Sequence, residues 1–102
     1  DDTRGLMDAA AIAELPPGAI LINTARGGIV DEAAVVDALR SGALGGAALD
    51  VFETEPLAGD AAARFDAVPN LILTPHVAGV TKQGNVRVSA MTVENVMRVL
   101  FP

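Results

Sequence analysis

Apolar residues in this chain fall into two kinds of run. Ala19-Ile20-Leu21-Ile22, Ala47-Ala48-Leu49 and Leu71-Ile72-Leu73 are continuous, with no polar residue alternating inside them. Short uninterrupted runs predict strands over 19–23, 47–51 and 71–74. They should be buried on both faces, as in a parallel sheet covered by helices. Elsewhere the apolar positions recur at three- and four-residue steps. Ile12 and Leu15 mark a short Ala-rich helix over 9–15, opened by Asp8 and stopped by Pro16-Pro17-Gly18. Val35, Val36 and Leu39 are the inner stripe of a second helix. It starts at Asp31-Glu32, two acids that suit the helix dipole, carries Arg40 in its last turn and ends at Gly42. Gly45-Gly46 permits a close approach before the second strand. After a loop over 53–60, a short helix is expected over 61–65. A long last helix runs from a Thr81 cap to about residue 100, with Val86, Ala90, Val93, Met97 and Leu100 in one stripe. Val88, Met91, Val96 and Val99 lie off that stripe, so this helix should be covered by more than the sheet.

The resulting order is helix, strand, helix, strand, loop, strand, helix. Such alternation implies right-handed crossovers and an α/β fold, a partial doubly wound domain of about three parallel strands with flanking helices. The chain has 102 residues, one domain at most, and 51% of them are hydrophobic, enough for a core. Three Phe are its only aromatic residues, so aliphatic side chains must fill the interior. The formal charge of −6 argues against nucleic acid as a partner, because phosphate binding needs a basic surface. Cysteine is absent, which removes disulfides, thiolate chemistry and Cys-ligated zinc and is compatible with a cytoplasmic location. No apolar run approaches ~18 residues, so no membrane span is expected. Asp1-Asp2-Thr3-Arg4 has neither an initiator methionine nor a signal-peptide pattern, and no strand precedes the first helix. The chain therefore reads as an internal part of something longer.

In a parallel sheet the carboxyl ends of the strands share one edge, where open α/β sheets bind ligands. Arg26, Asp50, Glu55 and His76 all lie in or just after those ends. His76, the only histidine, is an ordinary loop imidazole or a general acid–base. In the second case Glu55 or Glu53 can supply the carboxylate that fixes its ring. Arg26, in the tight turn Asn23-Thr24-Ala25-Arg26-Gly27-Gly28, is a surface arginine paired with Asp31 or Glu32, or a planar fork for a substrate carboxylate. Asp50 is a strand-end cap, or an acceptor for the carboxamide of a nicotinamide. Lys82 is a solvated lysine or a contact for an anionic substrate tail. A nucleophilic triad is disfavoured, with no Ser in a Gly-x-Ser-x-Gly turn, and so is a metal site, with one His and no close acid cluster. No Gly-x-Gly-x-x-Gly sequence occurs.

Three ordered stretches resemble successive signatures of the D-isomer-specific 2-hydroxyacid dehydrogenases, the family of phosphoglycerate dehydrogenase and the glyoxylate/hydroxypyruvate reductases. They are Asn23 to Glu32, Gly46 to Phe52 continuing through Glu55-Pro56, and Thr74-Pro75-His76-Val77-Ala78-Gly79; Thr3-Arg4-Gly5-Leu6 resembles the segment before them. The resemblance covers nearly the whole chain. It implies a Rossmann-like domain and hydride transfer between C2 of a small D-2-hydroxy acid or 2-keto acid and NAD or NADP. Arg26 would bind the substrate's carboxylate and carbonyl oxygen. His76 would exchange the proton of the C2 oxygen, and Glu55 would hydrogen-bond to His76. Glu53 does not match that motif position. Asp50 would contact the carboxamide, and Thr24, Ala25, Arg26 and the loop His76, Val77, Ala78, Gly79 would line the nicotinamide half of the cofactor.

The family's Gly-rich phosphate-binding turn, ribose-binding acid and substrate domain have no counterpart in the sequence. The expectation is that residues 1–102 are the C-terminal half of a dinucleotide-binding domain, with 81–100 crossing toward a substrate domain. Taken alone, such a piece should be inactive, bind dinucleotide weakly and self-associate through its open strand edge; the full-length parent would be a homodimer. An NAD(H)-sensing corepressor of the same fold, or a truncation without function, is the rival expectation.

Overall fold

A computed structural model describes residues 2–102. It contains α1 (Ala9–Ala13), β1 (Ala19–Asn23), α2 (Glu32–Ser41), β2 (Leu44–Leu49), α3 (Gly59–Ala63), β3 (Leu71–Leu73) and α4 (Lys82–Leu100). The three strands form one parallel sheet in the order β1-β2-β3. The expected elements are all present, with shifted ends. β2 begins earlier and takes in Gly45 and Gly46, since a side chain at 45 would collide with the Gly18 carbonyl. It stops at Leu49, leaving Asp50 free to face the next loop. α1 is shorter than its apolar pattern, and α3 begins at Gly59.

The caps explain where the helices start. Asp8, Asp31 and Thr81 each accept a hydrogen bond from the backbone N–H three residues on, at Ala11, Ala34 and Gly84. Gly42 ends α2 with φ of +83°, a conformation that costs glycine little. The core lies on one side of the sheet. Leu21, Ala47 and Leu49 point into it, and Val35, Val36 and Leu39 of α2 pack over them with Ile12 of α1. Phe52 and Phe65 meet edge to face at 5.9 Å and close its lower end.

The opposite face departs from expectation. Ile20 is 65% exposed and Ile22 67%, and register places Ile22, Ala48 and Ile72 in one row across the sheet. β1 is thus buried on one face only, because both packed helices lie on the other. α4 departs too: none of its residues is buried, although Met91, Val96 and Met97 are apolar. It projects from the body, and the radius of gyration is 17.2 Å where a compact chain of this length has about 13 Å.

Candidate active site

Each strand end delivers one part of the site, and local hydrogen bonds shape the turns that carry it. Asn23 closes β1. Its side-chain oxygen accepts from the Ala25 N–H at 3.1 Å, and its amide donates to the Arg26 carbonyl at 3.1 Å. Those two bonds fold the Thr24–Gly27 turn over a buried amide, as Asn does in Asx turns. Gly27 then passes so close to the Phe52 carbonyl that a β-carbon would overlap it. The Arg26 turn and the segment after β2 are therefore in direct backbone contact.

Asp50 holds the third part. Its carboxylate is 4% exposed and receives three hydrogen bonds from the loop after β3. Thr74 Oγ1 donates at 2.6 Å and Val77 N at 2.9 Å to one oxygen, and Ala78 N at 3.0 Å to the other. The Thr74 hydroxyl foremost, then the Val77 amide, hold this carboxyl below the usual aspartate range. Between the gripped residues, His76 takes φ of +57°, a left-handed conformation uncommon for a residue with a side chain. Asp50 is the group that keeps it there.

His76 and Glu55 meet. Nδ1 lies 3.0 Å from one carboxylate oxygen of Glu55 and 3.2 Å from the other. A carboxylate oxygen accepts, so the bond is made when the ring hydrogen is on Nδ1, which leaves Nε2 for proton exchange with a ligand. Both side chains line an open cleft of about 610 Å³ with Phe52, Leu57, Leu73 and Thr74. Its walls are mostly apolar, as in sites that exclude water from a small ligand.

Arg26 is not brought into that cleft. It lines a separate cavity of about 320 Å³ with Thr3, Arg4, Gly27, Gly28 and Ile29. Its guanidinium is exposed and, among the described residues, donates to the neighbouring Ala25 carbonyl at 3.0 Å. The pairing with Asp31 or Glu32 does not form: Asp31 caps α2, and Glu32 goes to Arg64. Thr24 and Ala25 stand in the same turn as Arg26, and Gly79 follows the gripped Val77 and Ala78. Lys82 is exposed at the start of α4.

Two further residues, Asn23 and Glu32, shape the site without being candidates for its chemistry. Asn23 carries a local signal, an Asn at a strand end before a turn. Glu32 carries none. It is 3% exposed and bonds across 21 residues to the Glu53 N–H at 2.6 Å. The Glu53 carboxylate returns a bond to the Glu32 N–H at 3.4 Å, and Arg64 bridges the two carboxylates at 3.2 and 3.9 Å. Burial raises the Glu32 carboxyl above the usual range, against the bond from the Glu53 amide. Among the described residues, no cluster of three metal-ligating side chains occurs and no helix is long and apolar enough to cross a membrane.

Comparison with known proteins identifies the family and the fold. Residues 1–78 match the family model described as D-isomer specific 2-hydroxyacid dehydrogenase, NAD binding domain. The (S)-sulfolactate dehydrogenase of Chromohalobacter salexigens is 55% identical over 98% of this chain and 32% of its own length. A D-isomer specific 2-hydroxyacid dehydrogenase from Xanthobacter autotrophicus, solved with NADPH and MES, superposes with a TM-score of 0.80 at 46% identity, covering 96% of this chain and 39% of that one. An NADPH-dependent glyoxylate/hydroxypyruvate reductase from Sinorhizobium meliloti, solved with NADP and malonate, gives 0.82 at 38% identity over 98% of this chain and 30% of that one. The chain thus spans about a third of the length of these relatives, and its three parallel strands and flanking helices are part of their Rossmann-like fold.

Proposed function

The chain belongs to the family of NAD-binding domains of the D-isomer-specific 2-hydroxyacid dehydrogenases, and from that premise we propose that it carries the acid–base half of a hydride-transfer site. The observation behind this is the Glu55–His76 pair on a loop held by Asp50. In reduction of a 2-keto acid, His76 gives a proton from Nε2 to the C2 oxygen; in oxidation it takes that proton back. Glu55 steadies the imidazolium and aims it. The nicotinamide of NAD or NADP supplies or accepts the hydride when bound. Charge growing on the C2 oxygen is met by His76 and by Arg26, which also binds the substrate's carboxylate. For this role the guanidinium, which among the described residues bonds to its neighbour's carbonyl and lines its own cavity, has to turn toward the cleft.

The residues fit the cofactor. Asp50 Oδ1 already accepts two hydrogen bonds and Oδ2 one, so one acceptor position remains for a carboxamide N–H. Thr24, Ala25, Val77, Ala78 and Gly79 lie on the turns beside it and line the nicotinamide half. The substrate is a small 2-hydroxy or 2-keto acid. Residues 81–100 serve as the crossover helix toward a substrate domain, and the chain by itself is inactive and binds dinucleotide weakly.

The test places this chain in the matched third of the C. salexigens sulfolactate dehydrogenase and follows nicotinamide absorbance with sulfolactate. His76→Asn should lower kcat by roughly 10²–10⁴, and Arg26→Ala kcat/KM by roughly 10²–10³. A folded, active chimera indifferent to His76→Asn would overturn the proposal. Micromolar NADH affinity of the 102-residue chain by titration calorimetry would overturn the weak-binding part alone.

A further inference from the structure

The Glu55–His76 pair is held from two sides. Asp50 fixes His76. Glu55 sits on an exposed strap with no hydrogen bond from its carboxylate to any described residue except His76. A carboxylate placed that way needs an anchor close by in the chain, or it samples many positions. The nearest anchor is two residues earlier, at Glu53. Its N–H donates to Glu32 at 2.6 Å, the shortest hydrogen bond between the strap and the rest of the protein.

Glu32 is unusual for a residue in the first turn of a helix. A carboxylate there meets the helix dipole while remaining in water. This one turns inward and is 3% exposed. One of its oxygens binds the strap and the other binds Arg64. Glu53 answers with its own carboxylate on the Glu32 N–H, so each residue caps the backbone of the other. Arg64, after α3, neutralises the pair. On the other flank, Gly27 rests on the Phe52 carbonyl, one residue from Glu53. The strap is therefore pinned to the start of α2 and to the Arg26 turn at adjacent residues. A buried carboxylate facing a second carboxylate costs stability, offset here by the Glu53 N–H and Arg64.

We propose that Glu32, with Glu53 and Arg64, is a positioning residue for the acid–base pair: it pins the strap so that Glu55 holds the hydrogen of His76 on Nδ1. Its meaning for catalysis rests on reading His76 and Glu55 as the acid–base pair; its test does not. Removing Glu32 frees the Glu53 N–H and leaves Arg64 without its nearest acid. Glu55 then meets His76 for only part of the time, and the hydrogen distributes between Nδ1 and Nε2.

His76 is the only histidine, so its ring nitrogens are assigned without ambiguity in the 15N-labelled chain. The ratio of the Nδ1–H to the Nε2–H tautomer is measured at a pH where the ring is neutral. The ratio should favour Nδ1–H in the native chain. Glu32→Ala should lower it about fivefold, the equivalent of one hydrogen bond of ~1 kcal/mol. Glu32→Gln should restore it, because an amide oxygen still accepts from the Glu53 N–H. Glu55→Ala, which removes the acceptor, gives the reference for a lost partner. An unchanged ratio in Glu32→Ala, with the amide spectrum of β1 and α2 intact, overturns the proposal, as does a native ratio that favours Nε2–H. If Glu32→Ala does not fold, Arg64→Gln carries the test: the two carboxylates then face each other uncompensated, and an unchanged ratio overturns the proposal. Failure here leaves the chimera assay untouched, and failure of that assay leaves the tautomer ratio standing.

Discussion

Asp50 and Glu32 are both buried carboxylates, and each braces a loop that delivers one member of the Glu55–His76 pair. Their surroundings are opposite. Asp50 faces only donors: a hydroxyl and two backbone amides. Glu32 faces one amide and one arginine, but also the carboxylate of Glu53. The first is held below the usual carboxyl range and the second is raised above it. Both residues are nearly closed to solvent. For Glu32 desolvation outweighs the bond from the Glu53 amide and the carboxyl is raised; for Asp50 the three donors outweigh desolvation and the carboxyl is lowered. One brace is a full hydrogen-bond latch for an anion; the other is a compromise among charges.

The largest disruption should come from breaking the joint that the two braces share. Gly27→Ala drives a β-carbon into the Phe52 carbonyl, and neither backbone can withdraw without moving its loop. Overpacking of this kind costs about 1–3 kcal/mol or more. Melting should drop by roughly 4–8 °C for each kcal/mol lost. Amide shifts should spread from Arg26 to Glu55 while His76 to Ala78 hold, because Asp50 grips them independently. Equal shifts on both loops would mean that the two braces are one unit.

Next in size is loss of the latch. Asp50→Ala leaves the Thr74 hydroxyl and the Val77 and Ala78 amides without their acceptor, and His76 without a reason to stay left-handed. Hydrogen-exchange protection of those two amides should fall by at least about tenfold, the scale of one charge-assisted bond. Acid should reproduce this in the native chain. A carboxyl held below its ordinary value adds stability that is complete above that value, roughly pH 4, and lost as pH falls through the lowered one. Protection should thus be level at neutral pH and decline only below about pH 4. Decline beginning near pH 6 would point to His76 as the responsible group.

The two braces were not equally legible in the sequence. The caps at Asp8, Asp31 and Thr81 and the strand runs are short-range signals; the caps form as expected and each run becomes a strand, with β2 and β3 ending earlier than the pattern suggests. The convergence of Glu55 with His76 followed from the rule that parallel strands end on one edge. Asn23 had a readable signal, because its work is done within three residues. Glu32 had none: its partners lie 21 and 32 positions away, and a first-turn acid reads as a dipole partner. Coverage was misread for the same reason. The continuous apolar run of β1 and the apolar stripes of α4 state that a surface is apolar, but not whether another element lies over it. Ile20 and Ile22 are exposed because α1 and α2 pack on the other face, and the apolar residues of α4 because it projects from the body.

The smallest effect on stability, and the sharpest test of the contrast, is Glu32→Gln. A carboxyl raised above its ordinary value adds stability present below that value, roughly pH 4.3, and lost as pH rises through the raised one. Glutamine abolishes this dependence. It keeps an oxygen for the Glu53 N–H and replaces repulsion from the Glu53 carboxylate with an N–H donor. It gives up the attraction of Arg64, which water already screens because that side chain is partly exposed. The gains and losses should nearly cancel at pH 7, leaving a change within about 1 kcal/mol. Relative to the native chain, the variant should fare better at pH 7 than at pH 4, in urea melts at both. The corresponding Asp50→Asn should behave in the opposite sense, weaker at pH 7 and converging with the native chain in acid, because its neutral side chain turns one former acceptor into a donor facing donors. If both variants shift the same way with pH, the two carboxylates answer to burial alone, and the distinction between latch and compromise falls.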